Sequence, residues 1–131
     1  MQINSTKTII QKDAVKTYQF LNDAKNFERL MPDNISKFEA FDSNQFLFAL
    51  KGMPEITLKQ TENTPNSYIQ FGSAEGKINF SLEIFITEIN ATSAELGLEF
   101  KGEFNPMMAM MIKKPITSFI ETLVTNAAEK I

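Results

Sequence analysis

The first pattern in the chain, QINSTKTII over residues 2–10, reads as a strand. The period then lengthens. Asp13 stands as an N-cap ahead of Val15, Tyr18, Phe20 and Leu21 at helical spacing, and Asn22-Asp23 breaks the run. A second short helix carries Phe27, Leu30 and Met31. It stops before Pro32, because a proline pushes the preceding residue out of helical conformation. Beyond Pro32 the period changes to two. ISKFEAF and QFLFALKG flank the turn-rich DSNQ as a hairpin, and Gly52-Met53-Pro54 makes the next corner before EITLKQTE. Thr64-Pro65-Asn66 turns the chain into SYIQFGS, and Ala74-Glu75-Gly76 turns it again.

Alternation is cleanest in the next two strands. Ile78, Phe80, Leu82, Ile84 and Ile86 share one face of the first, against Asn79, Ser81, Glu83, Phe85 and Thr87. Ala94, Leu96, Leu98 and Phe100 share one face of the second, against Glu95, Gly97, Glu99 and Lys101. This is the signature of an antiparallel sheet with one buried and one wet face, and Gly97 in mid-strand points to a bulge or bend. Last comes a long helix, with Asn105 as N-cap and Pro106 at the first position. Ile116, Phe119, Ile120, Leu123 and Ala127 form its apolar stripe. Its first turns, PMMAMMIKK, are apolar nearly all round, and the interior Pro115 is expected to kink it.

Composition narrows the chemistry. The 131 residues suggest one domain, residues 1–131, with a sizeable core. A net charge of −3 with scattered lysines argues against a nucleic-acid partner. With no His and no Cys, disulfides, cysteine nucleophiles, zinc sites of the usual kinds and histidine acid–base schemes are all excluded. No metal and no cofactor is expected. No apolar run approaches the ~18 residues of a spanning helix and no signal segment is visible, so a cytoplasmic protein without stable membrane insertion is expected.

Two stretches carry a resemblance. AVKTYQFLNDAKNFERLMPD is similar to the two-helix segment, and NPMMAMMIKKPITSFIETL to the start of the C-terminal helix, of the SRPBCC superfamily (START-like, polyketide-cyclase and pollen-allergen types). The order of elements resembles that superfamily over essentially the whole chain. The resemblance implies an α+β helix-grip fold. In it, a curved antiparallel sheet of six to seven strands wraps a long C-terminal helix, with two short helices after the first strand. It also implies a cavity between helix and sheet that often holds an apolar small molecule. Fold alone does not choose among carriers, cyclases and chaperone activators.

The residues offer candidates for each role. Phe46, Phe48, Ile56, Leu58, Phe80, Leu82, Leu98 and Phe100 supply a sheet wall, and Leu30 with Met31 closes one end. The ligand-binding set is Leu30, Phe48, Phe80, Leu98, Phe100, Met107, Met108, Met111 and Phe119. Methionines adapt to irregular shapes, so Met107, Met110 and Met111 are read first as core, next as cavity wall or lid, and last as a contact for a protein partner or homodimer. Carried back at ~100° per residue, the apolar stripe places Met108, Ala109 and Ile112 on the buried side. Met107, Met110 and Met111 then fall on the side of Ser118, Glu121 and Thr125. Catalysis of cyclase or dehydratase type would need a Glu, Lys or Tyr facing the cavity, and no pattern singles one out. Glu83, Glu95, Glu99 and Lys101 lie on the wet parity, where solvation is expected.

Overall fold

In a computed structural model, which describes residues 1–74 and 79–131, the chain is a curved antiparallel sheet closed by one long helix. The strands are β1 (Gln2–Asn4), β2 (Thr8–Ile10), β3 (Ile35–Asp42), β4 (Gln45–Leu50), β5 (Ile56–Thr64), β6 (Tyr68–Ser73), β7 (Phe80–Asn90) and β8 (Ser93–Gly102). Helix α1 spans Ala14–Leu21, a 3-10 helix Ala24–Leu30, and α2 Pro106–Lys130. In space the order is β1-β8-β7-β6-β5-β4-β3, and β2 also pairs with β8. Every neighbouring pair is antiparallel. This is the α+β helix-grip architecture expected from the sequence. The apolar position of Ile78 and the turn at Glu75-Gly76 lie outside the described residues.

Two expectations are corrected. The first strand is two strands, both on β8, interrupted at Ser5–Lys7. There Ser5 N–H donates to the Leu98 carbonyl at 2.8 Å and Leu98 N–H donates to Ser5 Oγ at 2.9 Å. A side-chain hydroxyl thus replaces a backbone acceptor and lets the strand bend without orphaning an amide. Gly97 makes no bulge, since it pairs regularly with Phe85. The register shift of β7–β8 falls between Glu88 and Asn90 instead. What Gly97 does is leave space beside the stem of Lys7, whose Cγ lies 3.5 Å from where a β-carbon would stand.

Asp13 caps α1 through a bond from Lys16 N–H, and Asp23 caps the 3-10 helix through Lys25 N–H. Between these short helices and the sheet lies a cluster of phenylalanines. Phe27 stacks on Phe46 at 5.0 Å, and both meet Phe71 edge-on at 5.5 Å. Aromatic pairs favour these offset and edge geometries because ring faces are electron-rich and edges electron-poor. All three rings are fully buried. The cluster joins side chains from three separate elements, the 3-10 helix, β4 and β6.

Candidate functional site

Helix α2 runs unbroken from Pro106 through Pro115 to Lys130. Its N-terminus is set by Asn105, whose Oδ1 accepts from Met108 N–H at 2.9 Å, with Pro106 where a missing N–H costs nothing. From Ile116 onward the stripe Ile116, Phe119, Ile120, Leu123, Val124 and Ala127 is buried. Before Pro115 no residue of α2 is fully buried; Met108, Ala109 and Ile112 are half-buried on the inner side. Met107, Met110 and Met111 are 74, 83 and 68 % exposed. At 100° per residue they stand opposite the inner stripe, so they point away from the sheet.

A second aromatic group lies at the link from β8 into α2. Phe80 stacks on Phe100 at 5.8 Å, and Phe100 on Phe104 at 6.2 Å, a ladder of three rings across the ends of β7 and β8 and the link into the helix. Phe80 and Phe104 are only half-buried. Gly102 makes the ladder possible, because Phe104 lies so close over it that a β-carbon would collide with the ring. Where the two halves of α2 meet, Phe119 stacks on Phe48 at 4.6 Å, nearly parallel.

A groove of about 310 Å³ opens beside that junction. Leu50, Met53, Pro115 and Phe119 give it an apolar lining, and Pro32, Asn34, Lys51, Lys114, Ser118 and Thr122 complete it. It lies between the middle of α2 and the β4–β5 corner. Its volume falls at the lower end of small-molecule sites, roughly 300–1,000 Å³.

The candidate residues therefore separate into groups. Phe48 and Phe119 touch, Phe80 and Phe100 touch, and Leu98 lies on the same inner face of β8. Met108 is half-buried at the helix start. Leu30 is buried at the end of the 3-10 helix, where its carbonyl accepts from Asn126 Nδ2 at 2.9 Å. Met107 and Met111 are not brought to the inner surface. Sequence reasoning missed Phe104, which continues the two-residue period of Leu98 and Phe100 past Gly102, and Leu50 and Met53, which frame the corner before Pro54.

On the outer face, the expected solvation of Glu83 is corrected. Glu83 is only 9 % exposed. Tyr68 Oη donates to its Oε2 at 2.8 Å, and Lys101 Nζ meets its Oε1 at 3.0 Å and Glu99 at 3.7 Å. Burial first, then the Glu83 hydrogen bond, hold the Tyr68 hydroxyl well above the usual tyrosine range. The hydrogen bond to Glu83 and its charge likewise raise Lys101. The cluster tethers β6, β7 and β8 on the side away from α2. Among the described residues no three His, Cys, Asp or Glu side chains gather as a metal site, and no helix is long and apolar enough to cross a membrane.

No protein-family model and no curated protein matches the sequence. Solved structures do match over nearly the full length. A START superfamily protein from Mycobacterium smegmatis has a TM-score of 0.76 at 13% identity, covering 99% of this chain and 96% of its own. A conserved protein from Geobacillus kaustophilus gives 0.74 at 13%, covering 99% and 94%. Norcoclaurine synthase from Thalictrum flavum gives 0.74 at 12%, covering 98% and 84%. At these identities the likeness is one of fold: the chain has a START-like, helix-grip fold.

Proposed function

We propose that the protein is a cytoplasmic binder or carrier of a small hydrophobic ligand, lipid-, quinone- or polyketide-like, held between the sheet and α2. One observation carries this reading. The helix is buried from Ile116 onward, whereas before Pro115 its inward residues Met108, Ala109 and Ile112 are only half-buried, as are Phe80 and Phe104 near the link into it. Half-covered apolar surface, here and in the groove lined by Leu50, Met53, Pro115 and Phe119, is where an apolar ligand gains most by burial. Phe48, Phe80, Leu98, Phe100, Met108 and Phe119 form the contact set, and Leu30 closes the far end. Met107 and Met111 belong to the outer rim.

Native mass spectrometry of protein purified from its own host tests this. The expected result is a co-purified apolar molecule at one per chain. A bare chain that also shows no thermal shift with lipids, quinones and aromatic polyketides rejects it.

A second reading rests on the exposure of Met107, Met110 and Met111, which suits contact with a protein partner or a second copy. Light scattering over a concentration series separates monomer from homodimer. Loss of assembly in Met107→Gln/Met110→Gln with unchanged stability supports the dimer; assembly retained in that variant rejects this surface. The cyclase or dehydratase reading gains no such support, because Tyr68, Glu83, Glu99 and Lys101 stand on the outer face of the sheet.

A further inference from the structure

The groove beside Pro115 has a charge pattern that its apolar lining does not explain. Two lysines line it, Lys51 from the β4–β5 corner and Lys114 from α2, together with the neutral polar side chains of Asn34, Ser118 and Thr122. No Asp or Glu lines it; Asp33, next in sequence to two lining residues, is exposed and does not contribute. Among the described residues neither lysine forms an ion pair, whereas Lys7, Lys37 and Lys101 each pair with a glutamate. The backbone holds Lys51 in place, since its N–H donates to the Asn34 carbonyl at 2.9 Å across the groove wall. On a chain with net charge −3, this is a local concentration of unpaired positive charge around an apolar floor.

A neutral oxygen accepts a hydrogen bond from an ammonium group, but an anionic one binds it about twice as strongly and also balances its charge. Desolvating a charge beside an apolar molecule is unfavourable, so the lining selects against neutral occupants as well as for anionic ones. We infer that the groove takes a single-chain amphiphile with an anionic oxygen headgroup, its head between Lys51 and Lys114 and its tail on Leu50, Met53, Pro115 and Phe119. This rests on the proposed apolar-ligand binding and assigns that ligand its class and its polarity in the groove. Asn34, Ser118 and Thr122 supply the uncharged hydrogen-bond partners of the head.

The test is isothermal titration of the protein with dodecanoate, dodecanol and dodecyltrimethylammonium, all below their aggregation concentrations. Dodecanoate is expected to bind best. Lys51→Gln/Lys114→Gln should weaken dodecanoate about tenfold, the size of two partly exposed ion pairs, and leave dodecanol unchanged. Both lysines are exposed, so the variant keeps the fold. Lys51→Glu/Lys114→Glu should transfer the preference to dodecyltrimethylammonium. Acetate in excess should not displace dodecanoate; if it does, the groove holds bare anions and the inference is overturned. Equal affinity for dodecanoate and dodecanol, or a lysine variant that weakens both alike, overturns it while leaving apolar binding standing. If none of the three probes binds, both readings fall.

Discussion

The two halves of α2 lie on one sheet but are held to it differently. The C-terminal half buries six side chains and is tied by hydrogen bonds to distant parts of the chain. Asn126 reaches the Leu30 carbonyl, Glu121 accepts from Thr6 N–H in the gap between β1 and β2, and Arg29 reaches toward the Lys130 carbonyl. Among the described residues, no side-chain hydrogen bond joins the N-terminal half to the sheet. That half contributes half-buried Met108, Ala109 and Ile112 inward and three exposed methionines outward. Full burial and hydrogen bonds hold one half; the other rests on partial burial and on continuity of the helix. A fold that needs both a rigid frame and a space for a guest can divide a single helix between the two tasks.

Substitutions can break or sharpen this contrast. The largest effect is expected from Phe119→Ala at the boundary. It removes a buried ring and its stacked partner contact with Phe48, so denaturant unfolding should show a loss of about 3–5 kcal/mol. A loss below about 1 kcal/mol would mean that the frame does not extend this far. Pro115→Ala should act in the opposite direction. It restores the helix hydrogen bond to the Met111 carbonyl and should stabilise by up to about 3 kcal/mol. The stiffened helix start should take up apolar ligand more slowly in stopped-flow fluorescence, and unchanged uptake would show that the first half need not move.

Smaller effects belong to the outer face. Tyr68→Phe removes the hydrogen bond to Glu83, at a cost of about 1 kcal/mol near neutral pH. The sign of its pH dependence follows from the raised hydroxyl. The ordinary value is 10.0, so the stabilisation is complete below about pH 10 and is lost as the pH climbs above it. Wild-type protein should therefore lose stability on the alkaline side more steeply than Tyr68→Phe, as thermal melts between pH 8 and about pH 11 would register. Parallel curves would remove Tyr68 from the account. The smallest change is expected from Met107→Gln/Met110→Gln, within about 0.5 kcal/mol, because neither side chain is part of the core. A large destabilisation would show that the methionines pack inward in solution.

Much of this was legible in the residues, for identifiable reasons. The two-residue period of β7 and β8 and the stripe Ile116–Ala127 are long enough to define faces, whereas the angular spacing of Met107, Met110 and Met111 set them beside Ser118 and Glu121 without deciding between cavity and partner. The broken first strand was not legible, because the bond that permits it joins Ser5 to Leu98, 93 positions away. Glu83 was assigned to the right face but the wrong environment: parity says which way a side chain points, not what covers it. Its cover comes from Tyr68 and Lys101, each on a neighbouring strand. The lysine pair at the groove was hidden for the same reason, since a corner and a helix some sixty residues on meet only in the folded chain.

The pairing of β1 and β2 with β8 has a consequence for how the molecule is made. Gln2 faces Lys101 and Ile10 faces Ala94, so the first strands synthesised find their partner only after most of the chain has been translated. Until then their apolar side chains Ile3 and Ile10, fully or almost fully buried at the end, have no sheet to join. Closing contacts of such long sequence separation is slow, and exposed strand edges invite pairing with other chains. The hairpins β3–β4, β5–β6 and β7–β8, with their short loops, are therefore expected to pair before β1 and β2 join β8. The β1–β2 segment is then the one that a chaperone would have most reason to hold.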